Sequence, residues 1–184
     1  IDSAREFLYF TAESLPRIPD CKILDLGCGT GLELKDYFEM NPTASITGID
    51  MAPGMLNRLK EKFKDKDIKL ILGSYFDVPF ATSFYDAAVS VESLHHFTAD
   101  EKIPRYKKLH GSLKTDGFFI LTNYFALSDE EEYRFRNELL RLKAEQGIAD
   151  DVFYHFDTPL TVEHEMQCLK SAGFSNTVIL KHWN

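Results

Sequence analysis

The chain has 184 residues, a length that suits one domain with a substantial core. It carries 21 lysines and arginines against 29 aspartates and glutamates, a formal net charge of −8, and its basic residues are scattered. A nucleic-acid groove needs clustered cations to neutralise phosphates, so no nucleic-acid partner is expected. No apolar run approaches the roughly 20 residues of a membrane helix, so no membrane association is expected.

The cysteines favour a reducing environment. Cys21, Cys28 and Cys168 are an odd number and include no C-x-x-C pair. Free thiols, and hence a cytoplasmic location, fit this pattern better than a disulfide framework does. The chain begins at Ile1 rather than Met and shows no secretory signal. We expect a single domain over residues 1–184, with truncation at either end and the choice between monomer and homodimer left open.

Strand-like apolar runs alternate with segments of helical spacing along the chain. The predicted strands are Lys22–Leu26, Ser45–Asp50, Lys69–Gly73, Asp86–Val91, Gly117–Tyr124 and Thr177–His182. Between them, apolar residues recur at helical intervals, as in Met55, Leu59 and Phe63. This alternation predicts an α/β fold with a doubly wound, mostly parallel sheet and helices on both faces, arranged in three layers.

Most of the unusual residues follow the carboxyl ends of these strands. They are Gly27–Gly31, Asp50, Ser74–Tyr75, Glu92–His96 and Tyr124. Ligands of such sheets bind at the carboxyl ends, near the point where the strand order reverses. The sequence therefore predicts a binding site at this edge of the sheet.

The stretch "ILDLGCGTGLEL", residues 23–34, places a glycine turn between a strand and a helix. Dinucleotide sites use G-x-G-x-x-G, and the last glycine of that pattern would fall on Leu32. Asp25 and Glu33 flank the turn instead. Two carboxylates repel a pyrophosphate and suit a ligand with positive charge.

This turn and the order of the later motifs resemble the class I S-adenosylmethionine-dependent methyltransferases of the small-molecule type. The resemblance implies a Rossmann-like fold, with S-adenosylmethionine as cofactor and S-adenosylhomocysteine as product. It assigns five residues to the methionine part of the cofactor: Asp25, Gly27, Cys28, Gly29 and Gly31.

The resemblance also assigns the nucleoside part. Asp50, at the end of the second predicted strand, accepts from the ribose hydroxyls or caps the next helix, and Met51 packs on the adenine. Ser74 and Tyr75 meet the adenine, although the family often has Asp at the position of Ser74. Val91, at the end of the fourth predicted strand, completes the cofactor set.

The stretch "YDAAVSVESLHHF", residues 85–97, resembles the family's fourth motif, whose strand end lies near the reacting methyl group. His95, His96 and Glu92 are therefore candidate catalytic residues, because imidazole titrates near neutral pH and a carboxylate attracts a cationic acceptor. A purely structural histidine pair stays open. No metal is expected, because adjacent positions on a helix point their side chains apart.

The acceptor is expected to be a small molecule that receives the methyl group by in-line transfer. Tyr124, and Tyr154 and His155 in the aromatic-rich stretch 151–161, are candidate substrate contacts. Two alternatives stay open. One is a regulatory module that binds the cofactor without transferring its methyl group, and the other is an NAD-dependent oxidoreductase.

Overall fold

The computed structural model describes residues 3–183, which divide into two compact units. The first unit contains residues 3–93, 108–122 and 179–183, and the second contains residues 94–107 and 123–178. A single domain over 1–184 stays a prediction, and residues 1, 2 and 184 lie outside the described residues.

The first unit contains a five-stranded parallel sheet of order β3-β2-β1-β4-β5. Its strands are β1 Lys22–Leu26, β2 Ser45–Asp50, β3 Ile68–Leu72, β4 Tyr85–Val91 and β5 Leu113–Thr122. The order runs outward in one direction from β1 to β3 and in the other from β4 to β5. Because crossovers between parallel strands are right-handed, this reversal places helices on both faces of the sheet. The predicted doubly wound, three-layer α/β fold is confirmed.

The central strand β1 owes its place to its apolar side chains. Ile23 and Leu24 are fully buried, and Ile23 lies opposite Ile46 of β2 and Ala87 of β4. A strand paired on both sides and covered on both faces is expected to be apolar throughout. Asp25, the one charged residue inside this buried stretch, is therefore conspicuous.

The helices are α1 Ser3–Ser14, α2 Leu32–Met40, α3 Pro53–Lys62, α4 Ala99–Ser112, α5 Asp129–Gln146 and α6 Val162–Ser171, and residues Leu94–His96 form one 3₁₀ turn. Two of these helices begin with capping hydrogen bonds. The N–H of Thr98 donates to Glu101 Oε2 at 2.8 Å, and the N–H of Glu131 donates to Ser128 Oγ at 3.2 Å.

The predicted sixth strand, Thr177–His182, is wrong. Residues 174–183 form no strand within the described chain, and Val178, Ile179 and Leu180 are all exposed. An extended apolar segment becomes a strand only when a neighbouring strand pairs with its N–H and C=O groups. The fifth predicted strand, Gly117–Tyr124, begins earlier, at Leu113, and ends at Thr122.

Two further findings concern membrane-spanning helices and the cysteines. From residue 3 to residue 183, no helix is long and apolar enough to cross a membrane. Cys21, Cys28 and Cys168 are all free and buried.

The second unit contains a buried ion pair between α4 and α6. Lys102 Nζ lies 2.5 Å from Glu165 Oε2, and these side chains are 0% and 3% exposed. The Tyr106 hydroxyl also donates to the Glu165 carboxylate. Removing one member of such a pair leaves a buried charge with no counter-ion.

Glu165→Ala is expected to lower the free energy of unfolding by about 3–5 kcal/mol, because it leaves Lys102 buried and uncompensated. Glu138→Ala is the control, since it removes an exposed partner of Arg141 and should change the free energy of unfolding little. Urea unfolding of both variants measures the difference. Equal losses of stability in the two variants would contradict the assignment of Lys102 and Glu165 as a buried ion pair.

Candidate functional site

The glycine turn lies at the carboxyl end of β1, between that strand and α2. Gly27, Gly29 and Gly31 have φ angles of 73°, 50° and 62°, which are left-handed conformations that side chains with a Cβ rarely adopt. Leu32 begins α2 and is 59% exposed. The backbone conformation of the turn is therefore sufficient by itself to require glycine at all three positions.

The backbone N–H groups of the turn are engaged within the protein. Gly27 and Cys28 donate to the carbonyl oxygen of Ile49 at 2.9 and 3.2 Å, and Gly31 donates to that of Cys28 at 2.8 Å. The N–H of Gly29 donates to Asp50 Oδ2 at 2.8 Å. Because these four N–H groups already donate within the protein, they are not available to bind an anionic ligand.

Asp50 joins the turn to the start of α3. Its Oδ2 accepts from Gly29, and its Oδ1 accepts from the N–H of Ala52 at 2.8 Å. Ala52, not Asp50, is the N-cap residue of α3, and Pro53 follows as the first helical residue. A carboxylate has about four lone-pair directions, so Asp50 keeps acceptor capacity beyond these two bonds.

The three glycines differ in what a Cβ would meet. At Gly27 it would lie 2.1 Å from Ser93 Oγ, and at Gly31 it would lie 3.0 Å from Leu34 Cδ1. At Gly29 no atom lies within 4 Å. Gly29 therefore faces open space, whereas the other two face protein.

Asp25 is buried under the turn without a counter-ion. It is 1% exposed, and among the described residues no N–H group or cationic side chain donates to its carboxylate oxygens; its polar neighbour is the Glu33 carboxyl, with which it can share a proton. Burial raises the pKa of the Asp25 carboxyl well above its usual value, and the carboxylates of Glu33 and Asp50 raise it further. Glu33 is itself only 4% exposed. Such a group calls for a cation or for a proton.

Cys28 contributes its backbone to the turn but directs its side chain into the core. A Cβ on Gly48 of β2 would lie 2.8 Å from Cys28 Sγ, so a glycine at that position makes room for the thiol. Burial raises the pKa of the Cys28 thiol. The thiol is therefore a packing group.

Met51 and Val91 lie at strand ends with different exposure. Met51 follows β2 and is 57% exposed. Val91 ends β4 and packs against the buried core. Met51 is the one of these two whose side chain offers a free apolar surface.

Ser74 and Tyr75 form a turn after β3. Ser74 Oγ accepts from the N–H of Phe76 at 3.1 Å. The Tyr75 ring is buried, and its hydroxyl lies 3.0 Å from Ser93 Oγ. Ser93 follows β4, so this hydrogen bond links the loops after β3 and β4, and sequence reasoning had not singled out Ser93.

Glu92, the first residue after β4, has a left-handed backbone with φ of 49°. Its N–H donates to the carbonyl oxygen of Thr122 at 2.9 Å, and its side chain is exposed. Residues held in such conformations often lie at functional sites.

His95 and His96 belong to the second unit, where they lie side by side. Their ring centroids are 4.1 Å apart with an interplanar angle of 59°. The expectation that adjacent positions point the two rings apart is wrong, because the rings turn toward each other on the 3₁₀ turn Leu94–His96. His95 is buried, whereas the His96 side chain is 18% exposed.

Asp157 and Asn123 join this histidine pair, and sequence reasoning missed both. Asp157 Oδ1 lies 3.6 Å from His95 Nε2 and 3.0 Å from His96 Nδ1. His95 Nδ1 lies 2.6 Å from Asn123 Oδ1. The signals were weak: Asn123 precedes the candidate Tyr124, and Asp157 lies two positions after His155.

The environment sets the charges of this cluster. Burial lowers the pKa of His96 to about 4, and the neighbouring His95 and His155 contribute to the shift. Burial raises the pKa of Asp157, but a hydrogen bond from Tyr124 and the nearby histidines outweigh it and hold the pKa below its usual value. At neutral pH Asp157 is therefore ionised and His96 is neutral.

The candidate substrate residues separate into two places within the second unit. The Tyr124 ring lies 4.5 Å from that of His95, and the His155 ring lies 4.2 Å from that of His96. The Tyr154 hydroxyl instead accepts from Gln146 Nε2 at 2.8 Å. The structure thus brings Tyr124 and His155 to the histidine pair and engages Tyr154 with the end of α5.

Known proteins resemble this chain over the glycine turn and the strands around it. A family model described as "Methyltransferase domain" matches residues 23–117. The biotin biosynthesis bifunctional protein BioHC of Teredinibacter turnerae is 28% identical, over 94% of this chain and 34% of its own length. Sterol 24-C-methyltransferase ERG6B of Gibberella zeae is 26% identical, over 90% of this chain and 42% of its own length.

Among solved structures, an S-adenosylmethionine dependent methyltransferase from Mesorhizobium loti has the same fold. Its TM-score is 0.69 at 19% identity, over 94% of this chain and 82% of that one. The chain spans less than half the length of the two curated relatives named above.

The raised pKa of Asp25 predicts a pH-dependent loss of stability in the ligand-free protein. Between the unfolded value near 3.9 and the raised native value, the folded state holds a proton that the unfolded state lacks. Stability therefore falls as pH rises through this window. Asp25→Asn removes the effect, so the free energy of unfolding of the wild type should fall relative to that of the variant as the pH rises above about 4. Parallel urea-unfolding profiles would contradict it.

Proposed function

The chain belongs to the methyltransferase-domain family, and we propose that it binds S-adenosylmethionine at the glycine turn and methylates a small-molecule acceptor. Members of this family use S-adenosylmethionine as their methyl donor. The acceptor and the assignment of individual residues are our proposals.

The observation that carries the proposal is the buried Asp25 carboxylate. No N–H group or cationic side chain donates to it among the described residues, and its polar neighbour is a second buried carboxyl, that of Glu33. A ligand with an ammonium group would supply the missing counter-charge, as the amino acid part of S-adenosylmethionine does. The residues present therefore fit this cofactor.

The same geometry disfavours a nicotinamide dinucleotide. A pyrophosphate needs free N–H donors at the turn, yet Gly27, Cys28 and Gly29 already donate within the protein. The buried carboxyl groups of Asp25 and Glu33 also offer no positive charge to a pyrophosphate. We therefore set the oxidoreductase alternative aside.

We propose roles for the surrounding residues in holding the nucleoside. Asp50 uses its spare lone pairs to accept from the ribose hydroxyls, and the exposed Met51 side chain covers the adenine. Ser74 and Tyr75, whose loop is fixed by the hydrogen bond to Ser93, line the adenine end. Gly29 lets the ligand approach the backbone, since no protein atom occupies that space.

When bound, S-adenosylmethionine supplies an electrophilic methyl group on a sulfonium. The protein has to orient the acceptor, exclude water and take up a proton where the acceptor carries one. We propose Glu92, in the first unit, as a group that receives this proton, and we keep His95 and His96, in the second unit, as candidate bases because of their imidazoles. Tyr124, Tyr154 and His155 are proposed to set which acceptor fits.

A small-molecule acceptor is supported by charge and by a relative. The net charge of −8 disfavours polyanions such as RNA and DNA. One relative is named for methylating a sterol, which is a small molecule.

The proposal predicts transfer of labelled methyl from S-adenosylmethionine to at least one member of a panel of small hydroxyl, amine, thiol and carbon acceptors. Gly29→Ala is expected to weaken cofactor binding at least about tenfold, a loss of about 1.4 kcal/mol, because its methyl group enters the ligand space. Calorimetry measures the affinity and mass spectrometry the methylated product.

Gly147→Ala is the matched control, because Gly147 also has a positive φ, of 65°, with no atom within 4 Å of an added Cβ. It introduces the same backbone strain at the end of α5 and should leave cofactor affinity unchanged. Equal losses in both variants would count against the site. Tight binding without any methyl transfer would favour a regulatory module instead.

A further inference from the structure

The second unit contains a convergence of three side chains of the types that ligate metal ions. His95, His96 and Asp157 each direct one ligand atom into a common region, and these atoms lie within 4.8 Å of one another. We propose that these three side chains bind a divalent transition-metal ion. The proposal concerns this cluster alone and does not depend on the methyltransferase activity.

The spacing of the ligand atoms matches a metal site. Zinc bonds to nitrogen and oxygen are about 2.0–2.2 Å long, so two ligands on a tetrahedral ion lie roughly 3.4 Å apart. Asp157 Oδ1 lies 3.6 Å from His95 Nε2 and 3.0 Å from His96 Nδ1. Both separations are close to that edge length, so small rotations of the rings suffice to admit an ion.

His95 is held in the orientation and tautomer of a ligand. Its Nδ1 lies 2.6 Å from the amide oxygen of Asn123, which can only accept a hydrogen bond. Nδ1 therefore carries the hydrogen, and the lone pair of Nε2 faces Asp157. Metal-binding histidines are commonly fixed in this way through their second ring nitrogen.

His96 supplies an independent indication. Its Nδ1 is buried and lies 3.0 Å from Asp157 Oδ1. A buried imidazole nitrogen that faces a carboxylate oxygen at this distance is an arrangement that a metal ion can bridge. An ion between His96 and Asp157 would satisfy both groups.

The donor set indicates the class of ion. Two imidazoles and one carboxylate suit zinc, cobalt, nickel or ferrous iron, whereas magnesium and calcium prefer oxygen ligands throughout. Three protein ligands leave a position for water or for an oxygen of another ligand. The Asp157 side chain is 48% exposed, so an ion has access from solvent. With the ion bound, both imidazoles are ligands, so the role proposed above for them as proton acceptors applies to the metal-free protein.

The test uses untagged protein stripped with a chelator and titrated with Co²⁺, followed by competition with Zn²⁺. We expect one Co²⁺ per chain, with visible bands of nitrogen and oxygen coordination and without the intense near-ultraviolet band of a thiolate ligand. Asn123→Ala should weaken binding by about 10- to 100-fold, as the loss of an outer-shell partner does, and Asp157→Ala by at least as much.

His164→Gln is the matched control. His164 Nδ1 also pairs with a carboxylate, Glu132 Oε2 at 2.8 Å, and this unit brings no second histidine to that pair among its described residues. The control should bind Co²⁺ like the wild type, and circular dichroism should show that all three variants are folded. No binding at one equivalent, a thiolate band, or unchanged affinity in folded Asp157→Ala would each overturn the proposal.

Discussion

The candidate site of the first unit depends on one carboxylate, that of Asp25, which is buried without a counter-charge. Asp25 sits inside the central strand β1, where an apolar residue would serve packing better, and it is 1% exposed. Glu33 and Asp50 crowd further negative charge around it and raise its pKa. Burying such a group costs free energy unless a proton or a cation accompanies it. The ligand-free fold thus stores an electrostatic cost that a cationic ligand would relieve.

The glycine turn above Asp25 is fixed by the protein itself and not by a ligand. Ile49 and Asp50, at the end of β2, accept three of its N–H groups, so the turn keeps its shape through the neighbouring strand. These three donors are therefore engaged within the protein, and carboxylates and the open space at Gly29 lie beside them. A site for a cationic nucleoside and a site for a diphosphate both have a glycine turn at this edge of the sheet. They differ in whether the N–H groups of the turn are free to bind the ligand.

The sequence was most informative where signals are local. The strand–turn–helix around Gly27–Gly31 and the alternation of elements predicted the sheet, because periodicity and turn chemistry act over a few residues. The sixth strand failed, since an apolar run cannot reveal whether a neighbour will pair with it. Sequence reasoning found only part of the cluster around His95. Asn123 and Asp157 lie 28 and 62 positions further along the chain and meet His95 only after folding.

The central claim is that Asp25 holds a proton that the cofactor's ammonium replaces. Calorimetry of S-adenosylmethionine binding at about pH 6, where an α-amino group is still charged, in two buffers of different ionisation enthalpy, counts the protons exchanged. The account predicts net proton release by the wild type and none by Asp25→Asn. Binding without proton release, or tight binding of NAD with none of S-adenosylmethionine, would contradict it.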